Sequence, residues 1–337
     1  MNTRTIITRL KAHTAAMLWL TSQAVAAGEL CGNAENLDNY NNDYLKNFVT
    51  LQKGTDGWLF RDMDLKQEFG PNKTSLNTLV KLNRLLKQQG TKLVLVPTPT
   101  RALVHPEKLG EIAFNAKKAQ RSYKDFIKQL NALGIATPKL YRLLEKTHNE
   151  PLFFARDHHW NSQGAQAVAK LTADIITASG KYQAIEKLEF STAITGNDSN
   201  RGSLNKAAQI LCSQQFAPET FATYFTQRKG EIDLFADTAT PKVVLVGTSN
   251  SRGALNFNFS GFLSQYTGVD ILNNAESGSG QDKALYNYLT SSEFTIHKPR
   301  FLIWELPSYY SMNNHSTLNR ILEHLESQQK TARRAAK

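Results

Sequence analysis

The chain has 337 residues, 41% of them hydrophobic and 20% charged, the composition of a globular protein with room for one large α/β domain or two ordinary ones. No repeat or low-complexity linker interrupts it, which sets aside fibrous and linker-like architectures. A formal charge of +11 and a pI near 9.5 point to an acidic partner, which can be nucleic acid, anionic lipid or a polyanionic polymer.

In chain order, Arg4, Arg9 and Lys11 make a positive start without acids, Ala12 to Ala27 is mildly apolar, and Ala24-Val25-Ala26 has the A-x-A cleavage pattern. Residues 1–26 therefore read as a secretory signal, with an uncleaved anchor or a basic tail as the other readings; the apolar stretch is too short and interrupted to span a bilayer comfortably. Removing three positive charges leaves +11 − 3 = +8 on the mature chain. Leu30 before Cys31 is not the small residue of a lipoprotein signal, so no lipid anchor is expected. In an exported chain the only two cysteines, Cys31 and Cys212, predict one disulfide, pinning the mature N-terminus to the middle of the chain. No C-x-x-C, H-E-x-x-H or clustered His/Cys spacing suggests a metal, and no second apolar run approaches membrane length.

Residues 28–56 are polar and Asn-rich and read as an extended arm, followed by a turn and short strand at Asp56-Gly57-Trp58-Leu59-Phe60. Helical spacing of Leu76, Leu79, Val80, Leu82, Leu85 and Leu86 predicts a helix over 74–89, stopped by Gly90. A buried strand over 92–97 ends at Pro97 and Pro99. A helix over 117–133, a short strand at Ile135-Ala136 and a helix from Asn161 to about Ser179 follow. Residues 188–240 are less regular and read as an insertion covering the core. Strands at 242–246, 269–272 and 301–304, with a helix at 281–289, restore the α/β rhythm. An amphipathic segment near 318–325 precedes a basic tail that reads as frayed after Ser327. Strands alternating with helices predict one three-layer α/β domain, over residues 28–312, with a mostly parallel sheet.

The run Val243-Val244-Leu245-Val246 reads as a strand buried on both faces, and Gly247-Thr248-Ser249-Asn250-Ser251 follows at its carboxyl end, where open α/β sheets bind ligands. Ser249 there is either a capping serine of an ordinary loop or a hydroxyl projected from a tight turn beside backbone N–H groups. About ninety residues upstream lies Asp157-His158-His159-Trp160. Acyl transfer by serine needs an imidazole to take its proton and a carboxylate to orient the imidazole. A D-x-H turn can supply both, with His158 pointing the other way; the plain reading is a capping Asp157 beside two exposed histidines. Asn273 to Gly280, rich in glycine, follows another strand and can turn a backbone N–H toward that site; it lacks the Lys and the G-x-G-x-x-G order of a phosphate loop.

Gly247-Thr248-Ser249 and the glycine loop resemble two blocks of the SGNH hydrolases, but here the Asp/His block precedes the serine. That order is similar to the permuted SGNH-like domain of the alginate O-acetyltransferases of the AlgX/AlgJ family. The resemblance extends over residues 30 to 312 and includes Gly57-Trp58-Leu59-Phe60, Pro97-Thr98-Pro99-Thr100-Arg101, His105-Pro106-Glu107-Lys108-Leu109, Gly202-Ser203-Leu204-Asn205-Lys206-Ala207-Ala208 and Trp304-Glu305. It implies Ser249 as nucleophile, His159 as base and then acid, Asp157 as its orienter, and Cys31–Cys212 as the family disulfide. It implies a ping-pong reaction without a cofactor, in which Ser249 takes an acetyl group relayed by a membrane-bound acyltransferase in the periplasm and passes it to a polymannuronate hydroxyl. The third SGNH block lacks its Asn, because Trp304-Glu305-Leu306-Pro307 occupies that strand end, so the oxyanion hole is expected from the backbone N–H groups of Ser249 and Gly278. Arg101, Tyr309 and Tyr310 are the candidates to line the sugar groove. AlgX-type members carry a carbohydrate-binding module after this domain. Here about twenty-five residues follow Tyr310, so tight polymer binding is expected from other secretion components, and nucleic acid is not expected as the partner. An esterase using water, or a non-catalytic polysaccharide-binding scaffold, are the competing readings; the Asp157/His159/Ser249 set argues against the scaffold.

Overall fold

A computed structural model describes residues 28–145, 148–230, 242–252, 257–313 and 315–335. The expected signal segment lies outside the described residues. Among them, no helix is long and apolar enough to cross a membrane.

The centre is a four-stranded, wholly parallel sheet in the order Lys92–Thr98, Phe301–Pro307, Val243–Val246, Ile271–Asn273. The apolar runs form strands because both faces are covered, as parallel sheets require. Side chains alternate along each strand. Val94, Val96, Val243, Leu245, Phe301 and Ile303 enter one core with helices Ser162–Thr177 and Phe259–Thr267. Leu93, Leu95, Val244, Val246, Leu302, Trp304 and Leu306 enter the other, with helices Lys73–Gln88, Lys283–Leu289 and His315–Ala335. Helix Ala116–Ala132 contributes to both: Ala119, Tyr123 and Ile127 to the first core, Phe126 and Leu130 to the second. This is the three-layer α/β arrangement read from the strand–helix rhythm, with the fold that the SGNH resemblance implies.

Among the described residues, three α-helices are capped by an asparagine side chain. The Asn72, Asn115 and Asn161 side chains accept from the N–H of Ser75, Lys118 and Gly164 at 2.9–3.0 Å, satisfying donors that no turn precedes.

Several local expectations are corrected. Residues 28–56 form no extended arm; they fold into short helical turns whose Leu30, Ala34, Tyr40, Leu45, Phe48 and Leu51 pack on helix Ser203–Cys212 as a third core. The stretch 188–240 holds an antiparallel ribbon, Phe190–Asn200 with Glu219–Arg228, joined by that helix; its residues 231–241 lie outside the described ones. Ile135-Ala136 makes only a single bridge, Ala136 to Val94. The terminal helix runs to Ala335 instead of fraying after Ser327: Leu318, Ile321, Leu322 and Leu325 seat it on the second core, and beyond them Gln328 and Gln329 donate to Thr295 Oγ1 and Leu85 O.

Cys31 and Cys212 form a disulfide across 181 residues, closing the third core at the end of helix Ser203–Cys212. Constraining a loop of that length in the unfolded chain is worth roughly 5 kcal/mol. Intact-mass analysis under denaturing conditions should show a gain of two hydrogen masses on reduction, and Cys31→Ser should lower Tm markedly. An unchanged Tm would contradict the bridge's role.

His105 is buried, and its Nε2 accepts from the Leu152 N–H at 3.1 Å while Nδ1 faces Glu107 at 3.3 Å. Burial, against the attraction of Glu107, pulls its imidazole down from 6.5 to about 4. Between those values the unfolded chain binds a proton that the native chain refuses. Stability present above about pH 6.5 is therefore lost as pH falls toward 4, by about 3 kcal/mol. The difference in Tm between the protein and His105→Gln should shrink steadily from pH 7 to pH 4; a constant difference would contradict this.

Candidate active site

Strand Val243–Val246 leaves the sheet through Gly247. Glycine is required there by space: a Cβ would stand 2.6 Å from Glu305 Oε2. The chain then curls into one turn, with the N–H groups of Ser251 and Arg252 donating to Thr248 O, which puts Ser249 at its leading edge. Beneath the turn lies the Glu305 carboxyl, fully buried at the end of the adjacent strand. It accepts from Thr248 N–H at 2.9 Å, Thr248 Oγ1 at 3.0 Å and Ser251 Oγ at 2.9 Å. Burial raises its pKa, and these donors oppose the rise. The residue that displaces the expected third-block Asn thus anchors the serine turn from below.

The Asp157-His158-His159-Trp160 loop is clamped onto the turn by Trp160. Its buried indole Nε1–H donates to Asn250 O at 3.0 Å, and its backbone N–H points to Asn250 Oδ1 at 3.4 Å. His159 is thereby brought to Ser249, with Nε2 2.8 Å from Oγ. Its Nδ1 lies 2.5 Å from Asp157 Oδ1, which also accepts the His159 N–H at 2.9 Å. Asp157 Oδ2 accepts the Ser203 N–H at 2.7 Å, at the start of helix Ser203–Cys212, whose next two N–H groups take Arg156 O. Burial alone would raise the Asp157 carboxyl; His159 beside it, with these hydrogen bonds, holds it well below the usual carboxylate range. Gly202, at φ +82°, permits the approach, since a Cβ there would meet Arg156 O at 2.2 Å. Glu219, opening the second ribbon strand, accepts from Ala155 and Arg156 N–H at 2.7 and 2.8 Å and fixes the approach to Asp157. The "insertion" therefore carries the supports of the aspartate.

His158 does not point away from this line. Its ring lies on that of His159 with centroids 3.8 Å apart, and its Nδ1 is 2.6 Å from Ser203 Oγ. Burial first, then His159, hold it well below the ordinary imidazole pKa. Asp157, His158 and His159 bring three metal-capable atoms within 4.8 Å, but each has a protein partner that a metal would have to displace.

Ser249 opens into a cavity of about 330 Å³ lined also by His159, Gly278, Tyr309 and Tyr310. Gly278, at φ +68°, has no hydrogen-bond acceptor for its N–H among the described residues. Its loop is held to the serine strand by Asn274 N–H to Leu245 O and Glu276 N–H to Gly247 O, at 2.8 and 3.0 Å. The geometry suits attack by Ser249 Oγ, proton transfer through His159 and charge balance by Asp157.

Of the residues expected to line a groove, Tyr309 and Tyr310 are there and Arg101 is not. Arg101 is fully buried. Its guanidinium donates to Leu59, Phe154 and Ala155 carbonyls, pairs with Asp64 at 3.1 Å, and lies on the Trp58 and Phe60 rings. Sequence reasoning missed Tyr44, Phe48 and Arg61 in the cavity wall, and Glu305 and Ser203 behind the site. Only the Gly202-Ser203 and Trp304-Glu305 motifs hinted at the last two.

A family model described as the SGNH hydrolase-like domain of the acetyltransferase AlgX matches residues 51–308. The chain belongs to that family. It is 38% identical over 297 residues to the alginate biosynthesis protein AlgX of Pseudomonas aeruginosa, covering 86% of this chain and 62% of that one. To the probable alginate O-acetylase AlgJ of Pseudomonas fluorescens it is 33% identical, covering 77% and 68%. The P. aeruginosa AlgX structure superposes with a TM-score of 0.80 at 34% identity, over 88% of this chain and 70% of that one. The O-acetyltransferase domain of P. putida AlgJ shares the fold, with a TM-score of 0.68 at 24% identity, over 82% and 99%. The chain thus spans 62% of the length of the P. aeruginosa relative.

Replacing Glu305 by Ala strips the acceptor from three donors and leaves a void beneath the turn. It should cost about 2–4 kcal/mol in urea unfolding and slow modification of Ser249 by a sulfonyl fluoride by at least about tenfold. Wild-type behaviour in both measurements would mean that the turn holds itself.

Proposed function

We propose that the chain is an exported polysaccharide O-acetyltransferase, working in the periplasm after removal of its signal segment, with a polymannuronate as acceptor. The observation that carries this reading is the unbroken Ser249–His159–Asp157 hydrogen-bonded line opening into a cavity beside Gly278. The names of its relatives, alginate biosynthesis protein AlgX and probable alginate O-acetylase AlgJ, supply the substrate class. A mature charge of +8 suits a polyuronate.

In the first half-reaction Ser249 Oγ attacks the acetyl carbonyl while His159 Nε2 takes its proton. The developing oxyanion meets the Ser249 and Gly278 N–H groups, and Asp157 balances the imidazolium. The leaving group departs with the proton from His159, and acetyl-Ser249 remains. In the second, His159 removes a proton from a sugar hydroxyl, whose oxygen attacks the acetyl carbon, and the same proton returns to Ser249 as the C–O bond to serine breaks. The acetyl donor is a membrane-bound acyltransferase, since acetyl-CoA is not expected outside the cytoplasm.

Incubation with 4-nitrophenyl acetate and mannuronate oligomers should give acetylated oligomer by mass spectrometry, and Ser249→Ala should lower the rate by about 10³-fold or more. Release of acetate with unmodified oligomer would make the protein an esterase, and full activity in Ser249→Ala would remove Ser249 from the chemistry.

A further inference from the structure

Arg61 and Arg101 are both buried, with side chains 4% and 1% exposed, and share one carboxylate, Asp64, itself 2% exposed. Asp64 sits 3.1 Å from Arg101 but 3.7 Å from Arg61, too far for a good hydrogen bond. Arg101 is then satisfied by three backbone carbonyls. Arg61 is less well met: Nη1 donates to Asn47 O at 2.6 Å and the Tyr309 hydroxyl lies beside the guanidinium, but buried Nε and Nη2 make no well-formed hydrogen bond. Asp64 serves both arginines, and the one that keeps buried donors unused stands in the wall of the Ser249 cavity, where Tyr309 and Asp64 favour its charge. A buried guanidinium with idle donors is costly unless something answers it. Its plane is held over Phe48 and Tyr309, with Cζ 5.6 and 5.0 Å from the ring centroids, so it is prepared for a ligand rather than loosely placed.

We propose that Arg61 is the residue that recognises the acceptor's charge, binding a carboxylate of the uronate unit that enters the cavity beside acetyl-Ser249. A planar carboxylate matches the unused, buried Nε–Nη2 edge of the Arg61 guanidinium once the cavity wall yields to it, and a neutral hexose cannot replace it. The cavity is small for a ligand site, so the unit touching Arg61 is the one offered to Ser249 or its immediate neighbour. Arg61 thus acts as the specificity determinant, an inference that rests on reading Ser249 as the acetyl carrier for a sugar.

The test uses the full mature protein, 4-nitrophenyl acetate as donor, and a mannuronate oligomer against its methyl ester of equal length. Wild type should show a KM for the ester about 10- to 100-fold above that for the acid, Arg61→Gln should lose the preference, and Arg61→Lys should keep part of it. Equal KM values for acid and ester in wild type, or an undiminished preference in Arg61→Gln, overturn the proposal while leaving the transferase intact. If Arg61→Gln fails to fold, the wild-type comparison decides alone. Transfer by wild type to neither oligomer sinks both this inference and the transferase reading.

Discussion

The two oxygens of Asp157 hold the site together. One orients His159 and the other is met by the first N–H of helix Ser203–Cys212. A carboxylate this deeply buried is tolerable only because both lone-pair directions are answered, one by an imidazole and one by a helix start, where the aligned peptide dipoles favour negative charge. Everything around it serves that requirement. Gly202 lets the helix approach, Glu219 fixes the preceding peptides, and the disulfide secures the helix's other end.

The serine is positioned by a different device. Its turn is gripped between a carboxyl below, Glu305, and an indole beside it, Trp160. Neither residue faces the cavity, yet together they set the distance between Ser249 and His159, which come from loops 90 residues apart. Rigid elements thus supply the alignment that the chemistry needs, while the cavity wall is left to short N-terminal turns and to Tyr309 and Tyr310.

Much of this was legible in the chain. The sheet could be read because its strands are buried on both faces and appear as unbroken apolar runs such as Val243–Val246. The Asp157/His159/Ser249 set could be proposed because its residue types suit one chemistry and its order resembles that of the permuted SGNH-like domain. Long-range burial of polar groups could not. Arg101 follows Pro97-Thr98-Pro99-Thr100 and looks like a surface residue, but carbonyls from residues 59, 154 and 155 converge on it. Arg61 was overlooked for the converse reason: nothing local indicates that its partner Asp64 is already engaged. Residues 28–56 look like an arm in the sequence because their apolar residues lack a helical or strand period and find their cover on a helix some 160 residues away. The ribbon strand Glu219–Arg228 has the Thr- and aromatic-rich composition of a strand, but its irregular neighbours obscure that signal.

The contact between Gly247 and Glu305 has a consequence for sequence variation. A Cβ at 247 would stand 2.6 Å from Glu305 Oε2 and also 3.0 and 3.1 Å from the Glu305 Cβ and carbonyl oxygen, so a side chain at 247 stays crowded even after residue 305 is shortened. Either change alone brings a collision or a void directly beneath the serine. Glycine at 247 is therefore tied to the glutamate that holds the serine turn, and the turn's anchor and its freedom from side chains are one constraint.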